Sequence, residues 1–390
     1  MQKFRLNLGE IALEKYCSRR QFLKEGCVFA FGLGVSPLIL DLFSKSFAAT
    51  SLPFIHEARY YKKINKDTVQ CQLCPQGCRL TEGQRSWCRA REAKDGKLYS
   101  LVYGLPCAVH IDPIEKKPLF HFLPGTSIFS IATAGCNFRC KFCQNWQISQ
   151  VAPEEVNNYH LPPEEVVKNT LEYKCPSIAY TYTEPSIFFE YMLDTAKLAK
   201  KQGLKNMYHS NGSLNPEPAK EIAQYLDGAN VDLKAFTEEF YNKISEGFLE
   251  RTLDTLKILK KNGVHLEITN LVIPTLNDDP EKIKAMCFWI KENLDDQTPL
   301  HFTRFWPMYK LKNLNPTPVE TLEKAREIAL AQGLKFVYIG NVPGHPAEHT
   351  YCPDCKKILI GRRGFTILEN NISKDGKCKF CNRHIPGVWS

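Results

Sequence analysis

The stretch "GCNFRCKFCQNW", Gly135 to Trp146, sets Cys136, Cys140 and Cys143 four and then three positions apart on one short loop. A structural zinc site is closed by four ligands, and a three-ligand catalytic zinc ordinarily includes histidine. Three thiols without a fourth suit a cube of four irons, with three irons held and one left open. The competing reading is a zinc site completed by a ligand from elsewhere. The segment just before the loop, "SIFSIATAG" (127–135), reads as a strand, so the thiols sit at a strand's end.

Working outward, strand and helix patterns alternate. "PPEEVVKNTLEY", "SIFFEYMLDTAKLAKKQG", "PEPAKEIAQYL", "FLERTLDTLKILKKNG", "DDPEKIKAMCFWIKENL" and "TPVETLEKAREIALAQG" read as helices. Pro and acidic residues open several of them, and Gly closes three. Between them lie strands that run into "TEP", "SNG", "DLK" and "HF". Repeated βα units imply parallel strands with right-handed crossovers. Polar residues gathered at strand C-terminal ends favour a barrel, complete or partial, over a doubly wound sheet.

Composition sets the frame. The chain has 390 residues, 43% hydrophobic and 24% charged, which fits one large domain with smaller modules. Its net charge of +9 is spread over helix faces such as "KLAKK" and "KILKKN", so solvated surfaces explain it better than a nucleic-acid partner. There are 16 cysteines, and eleven fall into three groups. Such clustering suits metal ligation better than disulfides. Cys17, Cys27, Cys107, Cys175 and Cys287 are scattered and read as buried small side chains.

Before the barrel, "CQLCPQGCRLTEGQRSWC" supplies Cys71, Cys74, Cys78 and Cys88. Four thiols close either a zinc site or a second iron–sulfur cluster, and the spacing permits both. After the barrel, "YCPDCKK" and "CKFCNRHIPG" supply Cys352, Cys355, Cys378 and Cys381, a pair of knuckles of zinc-ribbon or rubredoxin type holding zinc or iron. So small a segment has little core, and a metal would supply much of its stability. The N-terminal "CSRRQFLKEG", an apolar run and "SFAATS" resemble a twin-arginine export signal; the alternative is an amphipathic helix. Export after folding is the expectation, and a cytoplasmic location the alternative, since thiolate chemistry is easier in a reducing compartment. No transmembrane span is expected after the leader.

Cys-x3-Cys-x2-Cys at the end of the first barrel strand resembles the signature of the radical S-adenosylmethionine (SAM) superfamily. The resemblance implies an α/β fold: a partial (β/α)6-type radical SAM barrel with a small Cys-rich N-terminal module and a C-terminal zinc-ribbon-like module. It implies that Cys136, Cys140 and Cys143 hold a [4Fe-4S] cluster whose open iron takes SAM. One electron then yields methionine and a 5′-deoxyadenosyl radical that removes hydrogen from a substrate. The same likeness assigns cofactor contacts to Phe142, Glu184, Ser210, Asn211, Asp232, Lys234 and His301. The Gly-Gly that usually precedes the acidic position is here Tyr182-Thr183, a departure that bears on the backbone contacts to SAM. With "DPIEKKPLFHFLPG" (112–125) and "YTYTEP", the chain is similar to the radical SAM member of the AmmeMemoRadiSam system, a branch like pyruvate formate-lyase activating enzymes, over about residues 68 to 390. The expected divisions are a leader at 1–50, a Cys-rich module at 51–127, the barrel at 128–341 and the ribbon-like module at 342–390.

The implied partners are a one-electron donor such as a flavodoxin or ferredoxin, and a substrate that is either a protein of the same system or a small molecule. A non-catalytic multi-metal electron carrier or scaffold also explains the clustered thiols, but not the polar residues at successive strand ends. An RNA-modifying radical enzyme would draw on the ribbon and the positive charge.

Overall fold

The computed structural model describes residues 56–390 and the backbone of two strands, Phe4–Leu8 and Ile11–Tyr16. The twin arginine and the apolar run behind it lie outside the described residues.

Eight strands form the central sheet: β1 (Ala108–Pro113), β2 (Ser127–Ala132), β3 (Ser177–Tyr180), β4 (Lys205–Ser210), β5 (Gly228–Asp232), β6 (His265–Val272), β7 (Leu300–Arg304) and β8 (Val337–Gly340). Spatial order follows chain order from β1 to β8. β2 to β8 run parallel, and only β1 is antiparallel. An order that never reverses excludes the doubly wound sheet, which needs a switch point. No pairing joins β8 back to β1, so the barrel is open. Each parallel crossover carries a helix: α1 (Pro163–Glu172), α2 (Phe189–Lys201), α3 (Pro216–Ala223), α4 (Leu249–Lys261), α5 (Pro280–Asn293) and α6 (Val319–Ala331).

The helices form where the apolar spacing allows one buried face. In α2, Phe189, Met192, Leu193, Ala196 and Ala199 are buried, and Lys200 and Lys201 complement the C-terminal dipole. α5 starts where Asp279 accepts the amides of Glu281 and Lys282 at 2.9 and 3.0 Å, with Pro280 in its first turn. Outward strand residues such as Ile178, Tyr180, Val231, Ile268 and Phe302 pack beneath these helices. Truncating a buried residue on the helix side of this contact, for example Leu256→Ala in α4, would cost about 2–5 kcal/mol.

The segment between β1 and β2 closes the barrel's base. Ile114, Leu119, Phe122 and Leu123 pack on Ile128, Ala179 and Met207. A Cβ on Gly228 would lie 2.8 Å from the Phe122 ring, so β5 needs glycine there. Glu267 of β6 pins this plug by accepting the amides of Phe120 and His121 at 3.0 and 2.7 Å.

Two small antiparallel sheets carry the N-terminal cysteines, Tyr61–Lys63/Thr68–Cys71/Arg79–Thr81 and His56–Glu57/Lys97–Ser100/Arg91–Lys94. They are fastened to the barrel by Arg91, whose guanidinium meets the Glu190 carboxylate at 2.8 and 2.9 Å with both side chains buried. At the other end, Thr350–Tyr351, Ile358–Arg363 and Thr366–Asn370 form the C-terminal sheet. Its Arg362 is buried, donates to Phe120 O at 2.7 Å and stacks 4.1 Å above the Phe120 ring. The "GRRGF" turn thus reaches into the barrel's base. Among the described residues, no helix is long and apolar enough to cross a membrane.

Candidate active site

The three-thiol loop leaves β2 through Gly135, which stands at φ +100. A Cβ there would fall 2.3 Å from the Cys88 carbonyl oxygen. Both the backbone angle and the close approach require glycine. The loop is then held from the side of Tyr241–Ser245: Arg139 and Lys141 donate their amides to Ser245 and Ile244 at 2.9 Å. Phe138 fills the space beside Gly247, where any Cβ would strike its ring. Cys143 N–H closes a turn on Cys140 O at 3.1 Å. All three thiols are free.

Burial, then the nearby Glu184 charge, pushes the Cys136 thiol well up. Burial pushes Cys140 up to about 12, against the pull of Lys234. Neutral buried thiols give up their protons when a metal takes the sulfur. The Phe138 amide donates to Cys136 Sγ at 3.4 Å, and Cys143 Sγ lies 3.2 Å from Ser149 Oγ. These contacts suit sulfur that carries ligand charge, so the loop fits an iron–sulfur cluster held by three cysteines.

The ends of β3 and β4 meet this loop. Glu184 follows β3 and is buried. It accepts the Ser186 amide at 3.0 Å, the Ser210 hydroxyl at 2.8 Å and the Asn211 amide at 2.8 Å. Burial raises its carboxyl, and these donors oppose the rise. Asn211 donates from Nδ2 to Asn137 Oδ1 at 2.8 Å, with Cys136 Sγ 4.0 Å away. Asn137 itself donates to Ser213 O at 2.9 Å. Thus Glu184, Ser210 and Asn211 form one chain of hydrogen bonds that ends at the loop.

The end of β5 adds charge. Asp232 sits 2.7 Å from Lys234 Nζ and 3.2 Å from His209 Nε2. Burial would raise its carboxyl, but the Lys234 and His209 charges outweigh this and hold it well below the usual range. Lys234 Nζ lies 5.6 Å from the centroid of the Phe142 ring, which also packs on Phe240. Phe142, Cys140, Asp232 and Lys234 are therefore one neighbourhood.

His301 stands apart from these groups. It is the second residue of β7, not its C-terminal end. Its Nε2 meets Glu267 Oε2 at 2.6 Å, and its ring stacks on Tyr338 with Phe120 at its edge. Strand register places it in the network that holds the base plug.

Several residues at the site carry no signal in the three-Cys pattern. Tyr182 takes φ +62, a glycine-favouring angle, at the position where the resemblance expects Gly. Its hydroxyl donates to Asp112, and Lys117 Nζ sits 4.2 Å from its ring centroid. Asp112 also meets Lys117 at 2.6 Å and Lys116 at 2.8 Å. Burial would raise the Asp112 carboxyl, but these partners hold it well below the usual range. The "DPIEKKPLFHF" segment thus does two things: its Lys117 faces Tyr182, and its phenylalanines fill the base. The left-handed Tyr182 and the paired Asp112 and Lys117 become visible only when β1 is placed beside β2.

The C-terminal thiols draw together. Cys352 and Cys381 Sγ are 3.6 Å apart, Cys355 and Cys378 Sγ 3.8 Å, and all four lie within 4.8 Å of one another. A tetrahedral ion with metal–sulfur bonds of about 2.3 Å sets sulfurs roughly 3.8 Å apart. The four residues fit one tetrahedral metal ion.

A family model described as Radical SAM superfamily matches residues 130–287. The chain is 45% identical to the uncharacterized protein MJ0808 of Methanocaldococcus jannaschii over 332 residues, 85% of this chain and 99% of that one. It is 26% identical to the pyruvate formate-lyase-activating enzyme of Clostridium pasteurianum over 163 residues, 40% of this chain and 66% of that one. Among solved structures, a radical SAM methyltransferase from Sphaerobacter thermophilus aligns with TM-score 0.45 and 10% identity, covering 83% of this chain and 92% of that one.

Proposed function

We propose, from the premise that this chain belongs to the radical SAM superfamily, that it cleaves SAM reductively and directs the resulting radical at a hydrogen of a substrate. Cys136, Cys140 and Cys143 would hold the [4Fe-4S] cluster. Bound there, the cluster and SAM supply a one-electron cleavage to methionine and a 5′-deoxyadenosyl radical. The rest is the work of this chain's residues. Glu184 offers a buried carboxylate, already fixed by three donors, to an ammonium group. Lys234 offers a half-buried point charge for a carboxylate. Phe142 offers an apolar ring beside both. The burial of Glu184 and Phe142 keeps water from the reacting centre.

The observation that carries this reading is the hydrogen-bond network in which Ser210 and Asn211 both donate to Glu184 and Asn211 donates to Asn137, joining two strand ends to the cysteine loop. A scaffold or electron carrier has no use for a fixed carboxylate beside three thiols. The activating-enzyme relative supports a protein as target, and the reading calls for a one-electron donor such as a flavodoxin or ferredoxin. The likeness to the AmmeMemoRadiSam member is part of the same reading and leaves a small molecule or a modified residue as the second kind of target. For the C-terminal quartet we infer zinc as a structural ion.

The test is spectroscopic. The protein is loaded anaerobically with iron and sulfide, reduced, and titrated with SAM. The account expects the electron paramagnetic resonance signal of the wild type to change on SAM addition and that component to be missing from Cys140→Ala. A wild-type signal indifferent to SAM would refute the reading.

A further inference from the structure

We propose that Cys71, Cys74, Cys78 and Cys88 hold a second iron–sulfur cluster, seated directly against the Cys136 loop. Backbone turns hold the four cysteines in one small module. The Cys71 amide donates to Cys78 O at 2.9 Å, and a turn brings Gly77 N–H to Cys74 O at 3.2 Å. The Trp87 amide donates to Cys78 Sγ at 3.3 Å, which draws the neighbouring Cys88 to the same spot. Ser86 Oγ lies 3.1 Å from Cys88 Sγ. Cys71, Cys74 and Cys88 are buried, and none of the four is in a disulfide. Burial first, and then the other three thiols, push Cys74 well up.

Two features separate a cluster from a single zinc ion. The first is spacing in space. Among the described residues, the C-terminal quartet is the set whose ligand atoms all fall within 4.8 Å. The N-terminal quartet does not meet that spacing, which one tetrahedral ion requires. The second is spacing in sequence. Structural zinc sites use two short pairs. Here three close thiols are followed by one remote thiol, a grouping shared with plant-type four-cysteine iron–sulfur sites although the exact spacing differs and is also open to zinc.

The place of the quartet supports the same assignment. The Cys88 carbonyl is the atom that forces glycine at 135. Gln76 donates to Asn137 O at 3.1 Å, beside Cys136. Arg139 donates to Trp87 O and lies 4.5 Å from the Trp87 ring centroid, on the side of Cys88. Arg139 thus stands beside the set, where its guanidinium would offset the negative charge of a thiolate-held cluster.

The experiment removes the other site and counts sulfide. Full-length chain with Cys136→Ala, Cys140→Ala and Cys143→Ala is loaded anaerobically with iron and sulfide. The proposal expects acid-labile sulfide and a dithionite-reducible paramagnetic signal to remain, with no response to SAM. A single C-terminal iron contributes no sulfide, so it does not confuse the count. Retention of sulfide supports the proposal whether or not the wild type cleaves SAM. Stoichiometric zinc with no sulfide overturns it. Should the triple variant fail to fold, Cys74→Ser in the otherwise intact chain decides: sulfide falling to about half of the wild-type amount supports the proposal, and an unchanged amount overturns it.

Discussion

Glu184 accepts a hydrogen bond from Ser210 Oγ at 2.8 Å across 26 residues of sequence. The bond locks the end of β3 to the end of β4 and fixes a buried carboxylate beside the Cys136 loop. Structure and proposed chemistry therefore share one residue.

Glu184→Gln should separate the two roles. A carboxamide replaces one acceptor oxygen with a donor that faces the Ser186 or Asn211 amide. One buried donor is left unmatched, at about 1–3 kcal/mol. Urea unfolding should report that loss. SAM affinity should fall as well, while bound iron and sulfide stay at wild-type levels.

Gly135→Ala should be far more damaging than an ordinary loop substitution. Its Cβ would meet the Cys88 carbonyl at 2.3 Å and its backbone would be held at φ +100. The strain alone is worth about 1–3 kcal/mol. Iron retention after gel filtration should drop, and thermal unfolding should begin earlier.

Asp232 gives a pH signature. Its folded carboxyl is depressed by Lys234 and His209, so its contribution to stability is present above the unfolded value of about 3.9 and lost as pH falls towards the folded value. Asp232→Asn should be less stable than wild type at neutral pH, and the gap should close below about pH 4. Denaturant midpoints for both proteins across this range give the comparison; a gap that stays constant would show that the charge pair is not its source.

The C-terminal quartet predicts metal-linked folding. Its local core is small: Cys352, Leu359, Ile360, Ile372, Cys378 and Ile385 with Phe120, Phe336 and Tyr338. Cys378→Ser should lose one metal ion per chain. Free energies of structural zinc binding are on the order of 10 kcal/mol, so hydrogen exchange should rise across residues 350–385. Because Arg362 reaches Phe120, exchange should also rise in the base plug.

How far the sequence reveals this architecture differs from part to part. The six crossover helices are legible because Pro, acidic starts and Gly stops bracket amphipathic spacing. The parallel strands follow from the βα alternation, and the three-Cys loop declares its own chemistry. Ser210 and Asp232 fall at strand ends as the pattern suggests. His301 does not, because a two-residue fragment such as "HF" cannot show where along a strand it lies. β1 is hidden because its one pairing is antiparallel and distant in kind from the βα repeat. With β1 goes the Asp112–Lys117–Tyr182 group, which depends on tertiary pairing. Tyr182 at a left-handed angle is invisible for the same reason: its hydroxyl and ring are held by β1 and the segment after it.

The most direct measurement is 5′-deoxyadenosine itself. Protein loaded anaerobically with iron and sulfide is given dithionite and SAM, with Cys140→Ala treated identically. The account predicts 5′-deoxyadenosine from the wild type and none above background from Cys140→Ala. Iron-loaded wild type that neither binds SAM nor forms the product, or equal product from both proteins, would contradict it.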